Sequence, residues 1–298
     1  MFTLEFFLDR IMIPVELAAD LLCIDSRIRS TGSGLHELAA EYYILARTQI
    51  STYSSRLEKI AQEIGVPAYM IFFLFYAYCA PALFEDYKSR GIPEDVFWEN
   101  MAALRIMLLD CMNPGGSPGA LTGVWTSGFF DMTRFTLGRL QFEIFPFRGH
   151  SFEHGGHRIC RGENALAIHI PPRGTRGPFT RETRMDAYRR AYEFFGNQLP
   201  GSAILFTCYS WLLYPVHEEF LPADSNILDF MRDFTIIYSN EREEFSEGWR
   251  IFGDKAGLPP AILPRETSLQ RAYADWLSAG KKTGAGYGVF FFDGKKIL

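Results

Sequence analysis

One short segment, Asn113-Pro-Gly-Gly-Ser-Pro-Gly119, separates two stretches of chain with different hydrophobic periods. Gly and Pro at this density interrupt regular structure. Before the segment, apolar residues recur at helical spacing; after it, they alternate as in strands. A 298-residue chain that changes period in this way is expected to form two domains, 1–118 and 119–298.

The first half reads as a helical bundle. Pro14 opens a helix with Val15, Leu17, Ala18, Leu21 and Leu22 on one face. A long helix is expected from about Leu35 to Ile64, striped by Leu38, Tyr42, Leu45, Tyr53, Leu57 and Ile60 and stopped by Gly65. Pro93 opens another, with Glu94 and Asp95 in the first turn, where the helix dipole favours acids. Between them, Gly65 to Phe84 holds no charge, which is about the length that crosses a bilayer. Tyr69, Tyr76 and Tyr78 lie inside this run, and its charged flanks show no basic bias. The segment is therefore expected to be a central helix buried on all sides.

The second half alternates strands and helices. Strands are expected at Thr136–Phe145, Ala165–Ile170, Ala203–Ser210, Phe234–Tyr238 and Tyr287–Phe292. A helix from about Arg181 to Phe195 is capped by Thr180 and ended by Gly196. Asp224 or Ser225 caps a short helix, and Thr267 with Gln270 forms a capping box for the last one. The chain is thus of the α+β class: an all-α bundle, then a mixed, mostly antiparallel sheet flanked by helices.

Composition narrows the function classes. Phe is frequent, at 27, so a large core is available. The net charge of −5 provides no basic field for nucleic acid. Five scattered cysteines without a CxxC pair point to a reducing compartment. The N-terminus, MFTLEFFLDR, lacks the basic region of a secretory signal, so a cytoplasmic location is expected, with no membrane partner.

An ordered set of motifs in the second half is more specific. They are Leu137-Gly-Arg-Leu-Gln-Phe-Glu143, His169-Ile-Pro171, Ser210-Trp-Leu-Leu213, Leu221-Pro-Ala-Asp-Ser-Asn-Ile227 and Thr267-Ser-Leu-Gln-Arg271. In this order the chain resembles bacterial acyltransferase domain-containing proteins, in which a helical N-acyltransferase N-terminal domain precedes a GNAT-like C-terminal domain. The resemblance implies transfer of an acyl group from acyl-CoA or acetyl-CoA to an amine on a small molecule, without a metal. A non-catalytic GNAT-like protein that binds a ligand or partner is the alternative, and the oligomeric state stays open.

The resemblance also places the cofactor. In such proteins a strand, a loop and a helix N-terminus hold the CoA pyrophosphate, through orphan amides and the helix dipole. Here the matching residues are Ile170, Arg173, Gly174, Thr175, Arg176, Gly177, Thr180 and Arg181. The superfamily loop has Gly three residues after its leading Gln or Arg, whereas Arg176 stands there. The segment from Arg173 to Arg190 holds six arginines against Glu182 and Asp186, which suits phosphate or, equally, a solvated basic helix face.

Four other groups carry possible chemistry. Arg139, Gln141 and Glu143 share one strand face, with Glu143 as a candidate base and Gln141 positioning substrate; an ordinary wet face or an Arg139–Glu143 pair is the plain alternative. His169, Tyr209 and Ser210 lie at strand ends, where His169 is a second candidate base and a hydroxyl can protonate a leaving thiolate, or they are structural. Trp211, Ser225 and Asn226 are candidate pocket residues, although Asp224-Ser-Asn226 also suits helix capping. His150, His154, His157 and Cys160 have ligand chemistry for zinc but sit in a Gly-rich hairpin and are read as a loop. Cys208 alternates in phase with Ile204 and Phe206 and is expected in the core.

Overall fold

The computed structural model describes residues 2–45, 49–113, 119–171, 177–199 and 201–298. It divides into two compact units, Met1–Thr136 and Leu137–Leu298.

The first unit holds helices α1 (Leu4–Arg10), α2 (Val15–Thr31), α3 (Leu35–Leu45), α4 (Ser51–Ile64), α5 (Ala68–Ser89), α6 (Glu94–Met112), α7 (Gly119–Thr122) and α8 (Ser127–Phe130). Pro14 and Pro93, expected to open α2 and α6, occupy their N-cap positions, as Pro67 does for α5. α5 is long and apolar enough to cross a membrane. Six successive residues, Ile71 to Tyr76, are completely buried. Six positions sweep the whole circumference of a helix, so protein surrounds α5 at that level, as its sequence predicts.

The long helix expected over 35–64 is two helices. In one continuous helix Tyr42 and Tyr53 would stand roughly 16 Å apart along the axis. Instead their rings meet edge to face, centroids 5.5 Å apart, because α4 returns across α3. Fully buried Ile50 leads into α4 and is followed by Ser51 and Thr52, which lower helix propensity where the stripe is already sparse.

The compact units divide after Thr136, eighteen residues beyond the boundary expected after residue 118. Residues 119–130 form α7 and α8, and α7 packs on α5 and α6. Phe130 is fully buried and stacks on Tyr76, with ring centroids 4.7 Å apart. Short helices that bury aromatic rings in a helical core belong to that core, whatever the composition of the segment before them.

The chain passes into the second unit within β1 (Arg134–Leu137). It continues through β2 (Leu140–Pro146), β3 (Ser151–His154), β4 (His157–Cys160), β5 (Asn164–His169), α9 (Arg181–Phe195), β6 (Ile204–Ser210), α10 (His217–Phe220), α11 (Asn226–Met231), β7 (Thr235–Arg242), α12 (Trp249–Phe252), α13 (Ser268–Ser278) and β8 (Thr283–Phe292). Six strands form one sheet in the order β1-β2-β5-β6-β8-β7; β3 and β4 pair apart as a hairpin. β5 and β6 run parallel, whereas β2/β5, β6/β8 and β7/β8 are antiparallel, giving the mixed α+β sheet.

The single strand expected over 136–145 is a hairpin instead. Gly138 takes φ +70°, as the first central residue of a tight two-residue hairpin turn requires. Arg139 is therefore in the turn and not on the strand face.

The two faces of the sheet differ. On one, Phe142, Phe206, Phe290 and Phe292 pack with Tyr188 of α9; Phe206 stacks on Phe290 at 5.2 Å with planes 7° apart. On the other, Ala165, Leu205, Val289 and Phe291 form a smaller cluster with Phe147 and Ile159, against which Phe152 of the β3–β4 hairpin packs.

Candidate active site

Strand register assembles the site. Gln141 lies opposite His169, and Glu143 opposite Ala167. Opposed residues share a face, so Gln141, Glu143 and His169 stand together on the face away from α9. Glu143 Oε1 is 2.9 Å from His169 Nε2, and their side chains are 16% and 24% exposed. A carboxylate at this distance fixes the orientation of the ring. Two residues read from the sequence as alternative bases are thus one pair.

The same face continues onto β6. The parallel β5–β6 ladder pairs Leu166 with Phe206 and Ala167 with Thr207, while the strands run on to His169 and Ser210. By that phase Thr207 and Tyr209 share the face of Glu143 and His169, on the far side of the point where the ladder ends. Tyr209 is 51% exposed; its hydroxyl donates to Asn240 Oδ1 at 2.9 Å and accepts from Arg242 Nη2 at 3.3 Å. Across the sheet it opposes Tyr287, which in turn opposes Tyr238. The sequence reading missed Thr207, Asn240, Arg242, Tyr238 and Tyr287. Alternation from Tyr209 points to Thr207; nothing local points to the others, which depend on the β7–β8 register.

Arg139 is 6% exposed. Its Nη1 donates to the Pro171 carbonyl at 3.2 Å, its guanidinium lies 5.2 Å from the Phe179 ring centroid, and its Nε has no partner among the described residues. Burial alone pulls its pKa below the usual value, since no carboxylate compensates. A buried cation with one carbonyl for company is costly unless an anion joins it.

Several predicted residues hold structural positions. Ser210 points with Cys208 and Phe206 toward the other face, and its hydroxyl accepts from the Leu212 amide at the start of a 3-10 turn, Trp211–Leu213. Trp211 packs edge to face on His217 and Tyr273. Ser225 caps α11 by accepting from the Ile227 amide, and Asn226 is exposed in its first turn. Burial pushes the Cys208 thiol up to about 12, in keeping with a core cysteine.

At the predicted phosphate loop, Arg173, Gly174, Thr175 and Arg176 lie outside the described residues. Ile170 is half-buried just beyond β5, Gly177 takes φ +69°, and Arg181 is exposed. Thr180 forms a capping box with Thr183. Arg184, counted in the sequence among the solvent or phosphate cations, is neither. It is fully buried, 2.9 Å from both Asp229 and Asp233. At the histidine-rich hairpin, Gly155 and Gly156 make the turn and His154 opposes His157. Among the described residues no three His, Cys, Asp or Glu side chains converge as a metal site.

The family of GNAT-like C-terminal domains matches residues 135–290, and the N-acyltransferase N-terminal domain matches residues 2–132. The chain belongs to this GNAT-like family. No curated protein is similar enough to count as a relative. Among solved structures, an acyltransferase in complex with decanoyl-CoA is similar at 23% identity, with a TM-score of 0.72 over 95% of this chain and 85% of that one. An acyltransferase in complex with decanoyl-CoA and teicoplanin is 24% identical, with a TM-score of 0.69 over the same shares. An acyltransferase mutant in complex with octanoyl-CoA is 22% identical, with a TM-score of 0.62 over 96% of this chain and 98% of that one. These likenesses show a shared fold over nearly the whole chain, the helical domain as well as the GNAT-like one. Within the GNAT-like domain, the Glu143–His169 pair and Tyr209 stand on the sheet face away from α9.

Proposed function

We propose that this protein transfers an acyl group from acyl-CoA to the amine of a small molecule, on the sheet face that carries Glu143, His169 and Tyr209. The observation that carries the reading is the Glu143–His169 pair, 2.9 Å apart, standing across the end of the β5–β6 ladder from Tyr209. Family membership supports it, as do the acyl-CoA molecules bound by structures of the same fold.

The residues present fit such a donor in two respects. β5 and β6 run on beyond their last mutual pair, Ala167 and Thr207, where an extended chain would fit between them. Arg139, buried without a carboxylate, offers a charge and an unused N–H to a phosphate. When bound, the thioester supplies the activated acyl carbon. Acid–base work then falls to the protein. An amine reaches the site as an ammonium ion and must lose a proton before it attacks; His169, held by Glu143, accepts that proton. Tyr209, held by Asn240 and Arg242, delivers a proton to the departing sulfur. Gln141, 4% exposed and opposite His169, positions the acceptor.

Isothermal titration with acetyl-CoA and longer acyl-CoAs tests donor binding; amine-dependent release of the CoA thiol tests transfer. Saturable binding weakened by Arg139→Met, with release that needs an amine, is the expected pair of results. Absence of binding by any CoA species rejects the reading.

A further inference from the structure

We propose that the helical unit carries a second small-molecule site, a cavity for a monocarboxylic acid with a short hydrocarbon body, in which Arg29 and His36 bind the carboxylate. The cavity encloses about 330 Å³, within the lower range for small-molecule sites. Its wall has two characters. Arg29, His36 and Tyr78 form the polar side, and Phe2, Leu4 and Pro81 form the apolar side.

The polar side is held in place from behind. Asp25, 9% exposed and not part of the wall, accepts from Tyr78 Oη at 2.5 Å and from Arg29 Nε at 2.9 Å. The His36 ring stacks on Tyr78 with centroids 3.9 Å apart. These contacts fix three side chains from α2, α3 and α5; Tyr78 commits its O–H to Asp25, whereas Arg29 and His36 keep hydrogen-bonding groups for the cavity. Arg29 binds Asp25 through Nε, so its terminal nitrogens keep their N–H groups for the cavity. His36 Nε2 is buried without a hydrogen bond among the described residues, since Asp25 Oδ1 is 3.6 Å away.

The wall therefore presents one cation and one unmatched ring nitrogen, while Asp25 lies behind it, bonded to Arg29 and Tyr78. That arrangement selects an anion that accepts from two directions. The apolar half and the limited volume select a short hydrocarbon body. A carboxylate satisfies both conditions, whereas an amine would meet Arg29 with like charge. The site lies wholly in the helical unit, among residues 2–81, and does not rest on the acyl-transfer reading.

The test is a titration of the intact protein with hexanoate, hexanamide and hexylamine, followed by calorimetry and by the imidazole resonances of His36. Saturable hexanoate binding that moves those resonances is expected, with hexanamide weaker by roughly tenfold or more and hexylamine weaker still. Arg29→Ala should weaken hexanoate by a similar factor. If that variant misfolds, the wild-type ligand series decides by itself. No saturable hexanoate binding, equal affinity for hexanamide, or unmoved His36 resonances would each overturn the proposal.

Discussion

The two faces of the six-stranded sheet share the same strands yet have opposite chemistry. On the α9 side, Phe142, Phe206 and Phe290 are all at most 2% exposed. On the other side, Glu143 and Thr207 follow Phe142 and Phe206, and Tyr209 lies two residues further along β6, beyond the smaller apolar cluster of Leu205, Val289 and Phe291. Because strand side chains alternate, one strand can serve a core and a polar site at once, provided its register does not slip. The aromatic face holds the register; the polar face depends on it. Damage to the first should cost stability, and damage to the polar residues of the second should cost activity alone.

The sharpest way to break this division is Glu143→Gln. Loss of the carboxylate that holds the base His169 in place lowers turnover by about 100- to 10,000-fold. The fold should be unaffected because the amide keeps the shape; steady-state rates beside a melting curve check both halves. Equal losses of rate and stability would mean that the polar pair is part of the scaffold.

Phe206→Ala makes the converse test. It removes a fully buried ring stacked on Phe290, and a cost of about 3–5 kcal/mol in denaturant unfolding is expected.

A third prediction concerns pH. Burial pulls the His217 pKa down to about 4 from 6.5, and its ring bonds Tyr273 at 2.6 Å. The folded state keeps His217 neutral where the unfolded chain takes up a proton. Its contribution is thus complete above about pH 6.5 and is lost as pH falls toward 4, amounting to roughly 3 kcal/mol at most. Unfolding at pH 7 and pH 4.5 should show the loss, and His217→Gln should reduce it.

The smallest effect is expected for Tyr209→Phe. Its hydroxyl is exposed, so stability should stay within about 0.5 kcal/mol. Turnover should fall, and fall least with acyl donors whose leaving group needs no proton.

Much of this was legible in the sequence, and the exceptions have particular causes. The helix Arg181–Phe195, both threonine caps and the parity of Cys208 follow from local rules and are present. Glu143 and His169 were each visible as candidate bases, but their pairing required the antiparallel register of β2 and β5. The hairpin at Gly138 was hidden because the residues on both sides of it continue an alternating pattern. Arg184 was read as a surface charge because its partners, Asp229 and Asp233, lie more than forty residues downstream. The separation of α3 from α4 was concealed by apolar residues that kept helical phase across the break. In each case local spacing described the element, and a distant partner decided its use.

The central claim is that acyl-CoA binds over the Glu143–His169 pair. The direct measurement is the imidazole resonance of His169 during titration with a thioether analogue of acyl-CoA, with buried His217 as an internal control. The account predicts that the His169 signals move with a saturable curve while those of His217 stay fixed. Saturable binding that leaves His169 unmoved would contradict it and place the ligand elsewhere.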